Sequence, residues 1–253
     1  MKKLLLKNKK IIVTGAANGN GRAISLAIAN HGGKPLNIDS DVEGLNSLNN
    51  EISKIGGDSS FLATKIGPNE NYLEHIEDLL KSEKYIDGIV NNAGITIGNK
   101  FHDYNEGDWD ETFYVNLKSV FLISKLATNF FSKIGGSIVN ISSLAAEVGF
   151  PGNVAYVASK GAIKALSKAM AMDLSEYNIR VNSVGPGYIR TNMTSKSYAN
   201  EALKQDRDNR MIMNRWGEPE DVANMVTFLL SEQSSYITGQ EFYVDGGWLA
   251  KGI

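Results

Sequence analysis

Tyr156 and Lys160 stand four residues apart, separated by Val157, Ala158 and Ser159. On a helix that step places a phenol and an ammonium on one face. A free tyrosine ionises near pH ~10, too high for a base at neutral pH, but a neighbouring cation favours the phenolate and lowers that value. Such a phenol can take a proton from an alcohol. The spacing alone is common, and an exposed helix pair shares it. Support comes from thirteen residues upstream of Tyr156, where the run 137–141 delivers Ser142 and Ser143 at its carboxyl end. In an open parallel sheet ligands sit at that end, and a hydroxyl there can hydrogen-bond an oxygen whose charge changes during hydride transfer. Two serines after a strand can equally cap the next helix. The segment 144–155, with Gly149, Pro151 and Gly152, is long enough to fold a serine back beside the tyrosine.

A second group of residues suits a dinucleotide. The apolar run 10–13 leads through Thr14 into Gly15, Asn18, Gly19, Asn20 and Gly21, and then into a segment of helical period. Glycine serves a tight turn, close approach of backbone to a pyrophosphate, and packing of helix on strand, while the helix N-terminus holds the phosphates. Eighteen residues beyond Gly21, the second apolar run ends at Asp39, followed by Ser40. An acid there accepts from the adenosine ribose hydroxyls and repels a 2′-phosphate, and no Lys or Arg interrupts 14–21, so the cofactor expected is NAD. A solvated turn acid is the plainer reading of Asp39.

The elements that must position these residues alternate along the chain. Short β-branched runs at 10–14, 34–39, 59–66, 86–92, 136–142, 179–184 and 240–244 read as strands. Segments 20–31, 42–55, 69–82, 108–132, 155–176 and 219–231 read as helices. The pattern predicts an α/β fold, a Rossmann-type doubly wound, seven-stranded and mainly parallel sheet with helices on both faces. No linker divides the sequence, so 1–253 reads as one dinucleotide-binding and catalytic domain. The stretch 188–216 departs from the alternation and reads either as a connector or as a substrate-covering lid.

Composition excludes several classes. Of 253 residues, 42% are hydrophobic and 21% charged, which suits a globular core, and the formal charge of −2 is spread without basic blocks, so no nucleic acid is expected. There is no cysteine, and the three histidines have no ligand spacing, so no metal is expected. The charged start at 1–3 is followed by only three leucines before Lys7, too short for a leader, and no run can span a bilayer, so a cytoplasmic, membrane-free location is expected.

Taken together these residues resemble the shorter, single-domain branch of the short-chain dehydrogenase/reductase family over nearly the whole chain. The resemblance rests on Thr14-Gly15 with Gly19 and Gly21, on Asn91-Asn92-Ala93-Gly94, on Asn116 between Val115 and Leu117, and on Ser143 with Tyr156 and Lys160. Pro186, Gly187, Ile189 and Thr191, then Thr238-Gly239 and Asp245-Gly246-Gly247, extend it. It implies that Tyr156 is the general acid/base, that Ser143 rather than Ser142 binds the reacting oxygen, that Lys160 holds the nicotinamide ribose and depresses the tyrosine, and that Asn116 positions a relay water. Asn92, Ala93, Gly94, Pro186 and Gly187 would line the cofactor, with Ile189 and Thr191 fixing its carboxamide. The activity implied is interconversion of a secondary alcohol and a ketone, by a homotetramer joined through 108–132, 155–176 and the last strand. Three positions depart from the pattern: Asn20 replaces an aliphatic residue, Lys65-Ile66 replaces Asp-Val and leaves only the Ile66 backbone for adenine, and Ala146 replaces glycine. The alternatives are a 3-oxoacyl carrier-protein reductase, a group that usually favours NADPH, and a non-catalytic nucleotide sensor on the same fold.

Overall fold

The computed structural model describes residues 4–251. Met1, Lys2 and Lys3, at the charged start read above against a leader, and Gly252 and Ile253, at the end of the span 1–253, lie outside the described residues.

Seven strands form one sheet in the order β3-β2-β1-β4-β5-β6-β7. They are β1 (Lys10–Thr14), β2 (Lys34–Asp39), β3 (Ser60–Ala63), β4 (Gly88–Asn91), β5 (Gly136–Ile141), β6 (Ile179–Pro186) and β7 (Glu241–Val244). Every neighbouring pair is parallel, so the sheet is wholly rather than mainly parallel. Parallel strands covered on both faces need apolar side chains on both, which is why the runs read as continuous rather than alternating. In β1, Ile11 and Val13 enter a core with Ile24 and Ile28 of α1 (Gly19–Asn30), Leu45 and Leu48 of α2 (Val42–Lys54), and distant Val222 and Val226. Ile12 faces the other way and packs with Ile76 and Leu80 of α3 (Tyr72–Glu83), and with Ile123 and Met170 beyond. The doubly wound Rossmann-type architecture predicted from the sequence is thus present.

One predicted helix is interrupted. In place of 108–132 there are α4 (Glu106–Phe113), a π-helical turn over Tyr114–Lys118 that carries Asn116, and α5 (Ser119–Thr128). A π turn inserts one residue into a helix without ending it, so the apolar period reads through it. The long α6 (Val154–Asp173) follows β5. The stretch 188–216 holds two short helices, α7 (Ser195–Ala199) and α8 (Glu201–Arg210), before α9 (Pro219–Leu230) returns to the sheet. Among the described residues no helix is long and apolar enough to cross a membrane.

The chain runs outward from β1 to β3 and then crosses to β4 on the other side of β1. That reversal opens a crevice between the carboxyl ends of β1 and β4, where open α/β sheets bind ligands.

Candidate active site

Thr14 builds the floor of the crevice. Its Oγ1 accepts from the backbone N–H groups of Asn92 and Ala93, each at 3.0 Å, while Asn92 Nδ2 donates to the carbonyls of Thr14 and Gly15, also at 3.0 Å. The loop after β1 and the loop after β4 are therefore laced together, and glycine is required where they touch. Gly15 has φ +64°, and a Cβ on Gly21 would lie 2.0 Å from the Gly15 carbonyl oxygen. The N-terminus of α1 opens onto this floor with no acid in its first turn, and its cap residue Asn18 makes no capping bond, donating instead to Asp41 at 3.0 Å. Unpaired N–H groups and the positive end of the helix dipole there suit a diphosphate. Asn20 Oδ1 is buried without a hydrogen-bond partner among the described residues.

Asp39 ends β2 on the same crevice. Both of its oxygens are engaged: Oδ2 accepts from Ala17 N at 2.9 Å and Oδ1 from Asp41 N at 3.0 Å. The acid thus braces two loops. Arg22, the residue after Gly21, reaches across the Ala17 and Gly44 carbonyls to Glu51 at 2.6 Å.

At the other end of the crevice, β5 delivers the two serines in opposite directions. Ser142 donates to the Glu241 carboxylate, whereas Ser143 hydrogen-bonds the phenol of Tyr156. Ser143 also caps the short turn 144–146 by accepting from Ala145 N at 3.1 Å.

Tyr156 lies in the first turn of α6, and burial pushes its pKa up while the Ser143 hydroxyl pulls it down. Lys160, one turn on and 4% exposed, donates to the Ile141 carbonyl at 2.8 Å and stands 5.7 Å from the Tyr156 ring centroid. Burial lowers its pKa to about 8, with Glu241 opposing. The side chain that pulls the phenol down is that of Ser143. Asn116 is 1% exposed; its Oδ1 accepts from Ile95 N at 2.8 Å, and its Nδ2 donates to Ile95 O at 2.9 Å and to Ser159 Oγ at 3.2 Å. The π turn aims that amide at the loop after β4. Gly94 leaves room there: a Cβ would meet Asn116 Oδ1 at 3.3 Å and Lys160 Nζ at 3.5 Å.

A single cleft of about 450 Å³ collects Gly15, Asn18, Gly19, Asn20, Asp39, Ile66, Asn92, Ala93, Gly94, Ser143, Tyr156, Lys160, Pro186, Gly187, Ile189 and Thr191. Two anticipated residues do not line it. Gly21 lies beneath Gly15, and Asn116 lies behind Ile95. The cleft also takes in Met193 and Thr194, from the stretch 188–216 read as a connector or lid, and Glu111, which was not anticipated. Thr194 forms a reciprocal capping box with Thr191, a signal visible as two threonines three residues apart. Glu111 lies within the apolar period of α4 and carries no such mark. Next to the cleft residues Gly187 and Ile189 in the chain, Tyr188 packs on Phe150, Trp216 and Trp248 at 6.3, 5.2 and 4.8 Å between centroids, with the Arg207 guanidinium of α8 at 4.6 Å from its ring.

The glycine cradle and the uncapped helix end fit a dinucleotide, and known proteins with this arrangement are similar along the full chain. A family model described as enoyl-(acyl carrier protein) reductase matches residues 15–249. A curated relative, the 3-oxoacyl-(acyl-carrier-protein) reductase FabG of Thermotoga maritima, is 37% identical over 243 residues, 96% of this chain and 98% of its own. The protein of the same name from Staphylococcus epidermidis is 35% identical over 246 residues, 95% of this chain and 98% of its own. Among solved structures, one described as an NAD(P)-dependent gluconate 5-dehydrogenase of Beutenbergia cavernae, with NADP bound at low occupancy, has a TM-score of 0.93 at 31% identity, covering 98% of this chain and 99% of its own. Another, described as a 2-deoxy-D-gluconate 3-dehydrogenase of Agrobacterium tumefaciens with bound NADP, has a TM-score of 0.87 at 32% identity, covering 99% and 100%. These bound cofactors overturn the expectation of NAD drawn from Asp39. The physical reason is that Asp39 braces two loops, its oxygens accepting from Ala17 N and Asp41 N, so an acid at that place is not by itself the mark of a ribose ligand. The combination of glycine turn, Ser143, Tyr156 and Lys160 on a doubly wound parallel sheet, matched from residue 15 to residue 249, places this chain in the short-chain dehydrogenase/reductase family of oxidoreductases.

Proposed function

We propose that the protein is an NADP(H)-dependent reductase of 3-oxoacyl thioesters borne on a carrier protein. The observation that carries this reading is the end-to-end similarity to curated reductases of that name, 35–37% identical, in a chain that keeps Ser143, Tyr156 and Lys160 in contact with one cleft. The Tyr156 phenol, like any whose pKa lies at or above the ordinary value, is protonated at neutral pH and can serve as the proton donor.

When bound, NADPH supplies the hydride that converts the keto carbon to a carbinol. Ser143 Oγ and the Tyr156 hydroxyl hydrogen-bond the keto oxygen, and as negative charge develops there Tyr156 gives up its proton to that oxygen. The Lys160 ammonium, mostly charged at pH ~7 because its pKa is about 8, stabilises the phenolate left behind. Asn116 fixes the Ile95 backbone beside Gly94, and Lys160 returns a proton to Tyr156. Gly15, Asn18, Gly19, Asn20 and Gly21 hold the diphosphate, Asp39 and Ile66 the adenosine end, and Asn92, Ala93, Gly94, Pro186, Gly187, Ile189 and Thr191 the nicotinamide half. Residues 188–216 act as a lid, with Ile189, Thr191, Met193 and Thr194 facing the cleft. The chain works as a homotetramer, joined through α4, α5, α6 and β7.

A second reading, oxidation of a sugar acid, is favoured by solved relatives described as gluconate dehydrogenases. Nicotinamide absorbance separates the two. With an acetoacetyl thioester, NADPH consumption at least about tenfold more efficient than with NADH is expected, a difference of ~1.4 kcal/mol in transition-state binding. Turnover confined to gluconate-type alcohols with NADP⁺ would overturn the thioester reading in favour of the second.

A further inference from the structure

We infer that Glu241 is a positioning residue for the reaction: its carboxylate, fixed under α6 by two serine hydroxyls, keeps Lys160 in its ammonium form. The inference rests on the assignment of Lys160 and Tyr156 to proton transfer, and not on which ketone is reduced.

The sheet register puts the acid there. Val181 belongs to the core beneath α6, so Ser183, two residues on, faces the same side, and Ser183 is the register partner of Glu241 on β7. On β5, Ile138 faces that core too, and Asn140 of the same face donates to Ser167 of α6 at 2.9 Å. The next residue in that alternation is Ser142. Ser142 and Ser183 both donate to the Glu241 carboxylate. Ser142 directly follows Ile141, whose carbonyl receives the Lys160 ammonium at 2.8 Å. One hydrogen bond and one peptide unit thus separate the acid from the group that anchors the lysine.

The charges around this pair can be enumerated. Lys160 is faced by Tyr156 on its own helix and by Glu241 from β7, and Glu241 supports the charged lysine against burial. Glu241 is itself raised by burial, while Ser142, Ser183 and Lys164 favour its ionised form and Glu147 opposes it. Lys164 is engaged elsewhere as well, in an ion pair with Glu147, which also accepts from the Tyr243 hydroxyl at 2.6 Å. Burial, reinforced by the Glu147 and Glu241 charges, keeps the Tyr243 phenol neutral. Two serine donors could be satisfied by a neutral amide. What a carboxylate adds at this place is charge, and the nearest buried cation is the lysine on which the proton transfer depends.

The discriminating variant is therefore Glu241→Gln, which keeps the shape and the acceptor and removes the charge. Two readouts are taken on the full-length protein. In ¹⁵N-lysine-labelled protein, with the Lys160 signal assigned through Lys160→Arg, the Nζ titration midpoint of Glu241→Gln should fall by about one pH unit, since loss of a close counter-charge shifts such a group on that scale. The alkaline limb of kcat/KM should move down with it, leaving turnover within about twofold near pH ~6.5 and reduced about tenfold near pH ~8.5. Should Glu241→Gln fail to fold, Ser142→Ala, which loosens the carboxylate while leaving its charge, should shift the same midpoint in the same direction by less. An unchanged Lys160 midpoint overturns the inference. A shifted midpoint in a protein that does not reduce 3-oxoacyl thioesters sustains it and defeats the proposed substrate instead.

Discussion

At the level of single residues the chemistry reduces to which oxygen each hydroxyl meets. Ser143 meets Tyr156 and Ser142 meets Glu241, although the two are adjacent and identical in type. Ser143→Ala should lower kcat by about 10–10²-fold with NADPH affinity unchanged, because a donor to the developing oxyanion is lost and nothing at the diphosphate moves. Steady-state kinetics together with fluorescence binding of NADPH check this. Gly21→Ala should do the reverse: the added methyl would lie 2.0 Å from the Gly15 carbonyl oxygen, so the loop must move, and NADPH binding should weaken by more than about tenfold in a titration of the folded protein. Much of this was legible in the sequence. Motif spacing marks Gly15, Ser143, Tyr156 and Lys160, since a tight turn, a strand end and one helical turn fix where each must fall. It does not mark the cofactor, because the spacing of Asp39 says nothing of the Ala17 and Asp41 backbone donors that hold its oxygens.

At the level of elements, strands and helices were readable wherever one period persisted, and failed where a local interaction overrode it. The π turn at Tyr114–Lys118 is such a place. It exists because the Asn116 amide is satisfied by Ile95, a partner twenty-one residues away that no local pattern announces. Asn116→Ala leaves the Ile95 N–H and C=O without their side-chain partner, and should cost about 1–3 kcal/mol, seen as a lower thermal midpoint, in addition to slower turnover.

A second device ties α3 to three strands. Glu83 receives Lys34 Nζ at 2.9 Å, Lys10 Nζ at 3.1 Å and Ser60 Oγ at 2.8 Å, while Lys10 also donates to the Glu83 carbonyl at 2.7 Å and so closes the helix end. Burial alone would raise this carboxyl, but its partners bring it down to about 2 from an ordinary 4.5. A depressed acid stabilises the fold fully above its unfolded value and loses that contribution as pH falls through its folded value, so the window is pH ~4.5 down to ~2. The contribution is on the order of 3 kcal/mol. Glu83→Gln should be clearly less stable than the wild type at neutral pH in urea unfolding, and the gap should close as pH approaches ~2.

At the scale of the whole molecule, the reversal of strand order between β1 and β4 brings residues from both halves of the chain to one cleft. The α/β alternation announced that architecture, and the packing of Ile11 against one core and Ile12 against the other realises it. What alternation left open was 188–216, where cation–aromatic contacts such as Arg207 on Tyr188 replace an apolar period. The central claim is that Tyr156 donates the proton that accompanies hydride transfer, and the most direct measurement is single-turnover reduction of an acetoacetyl thioester by prebound NADPH in wild type and Tyr156→Phe. A loss of about 10²–10⁴-fold in the rate of NADPH consumption, with unchanged NADPH affinity and an unchanged fold by circular dichroism, is predicted. Near-wild-type consumption by the folded phenylalanine variant would contradict the account.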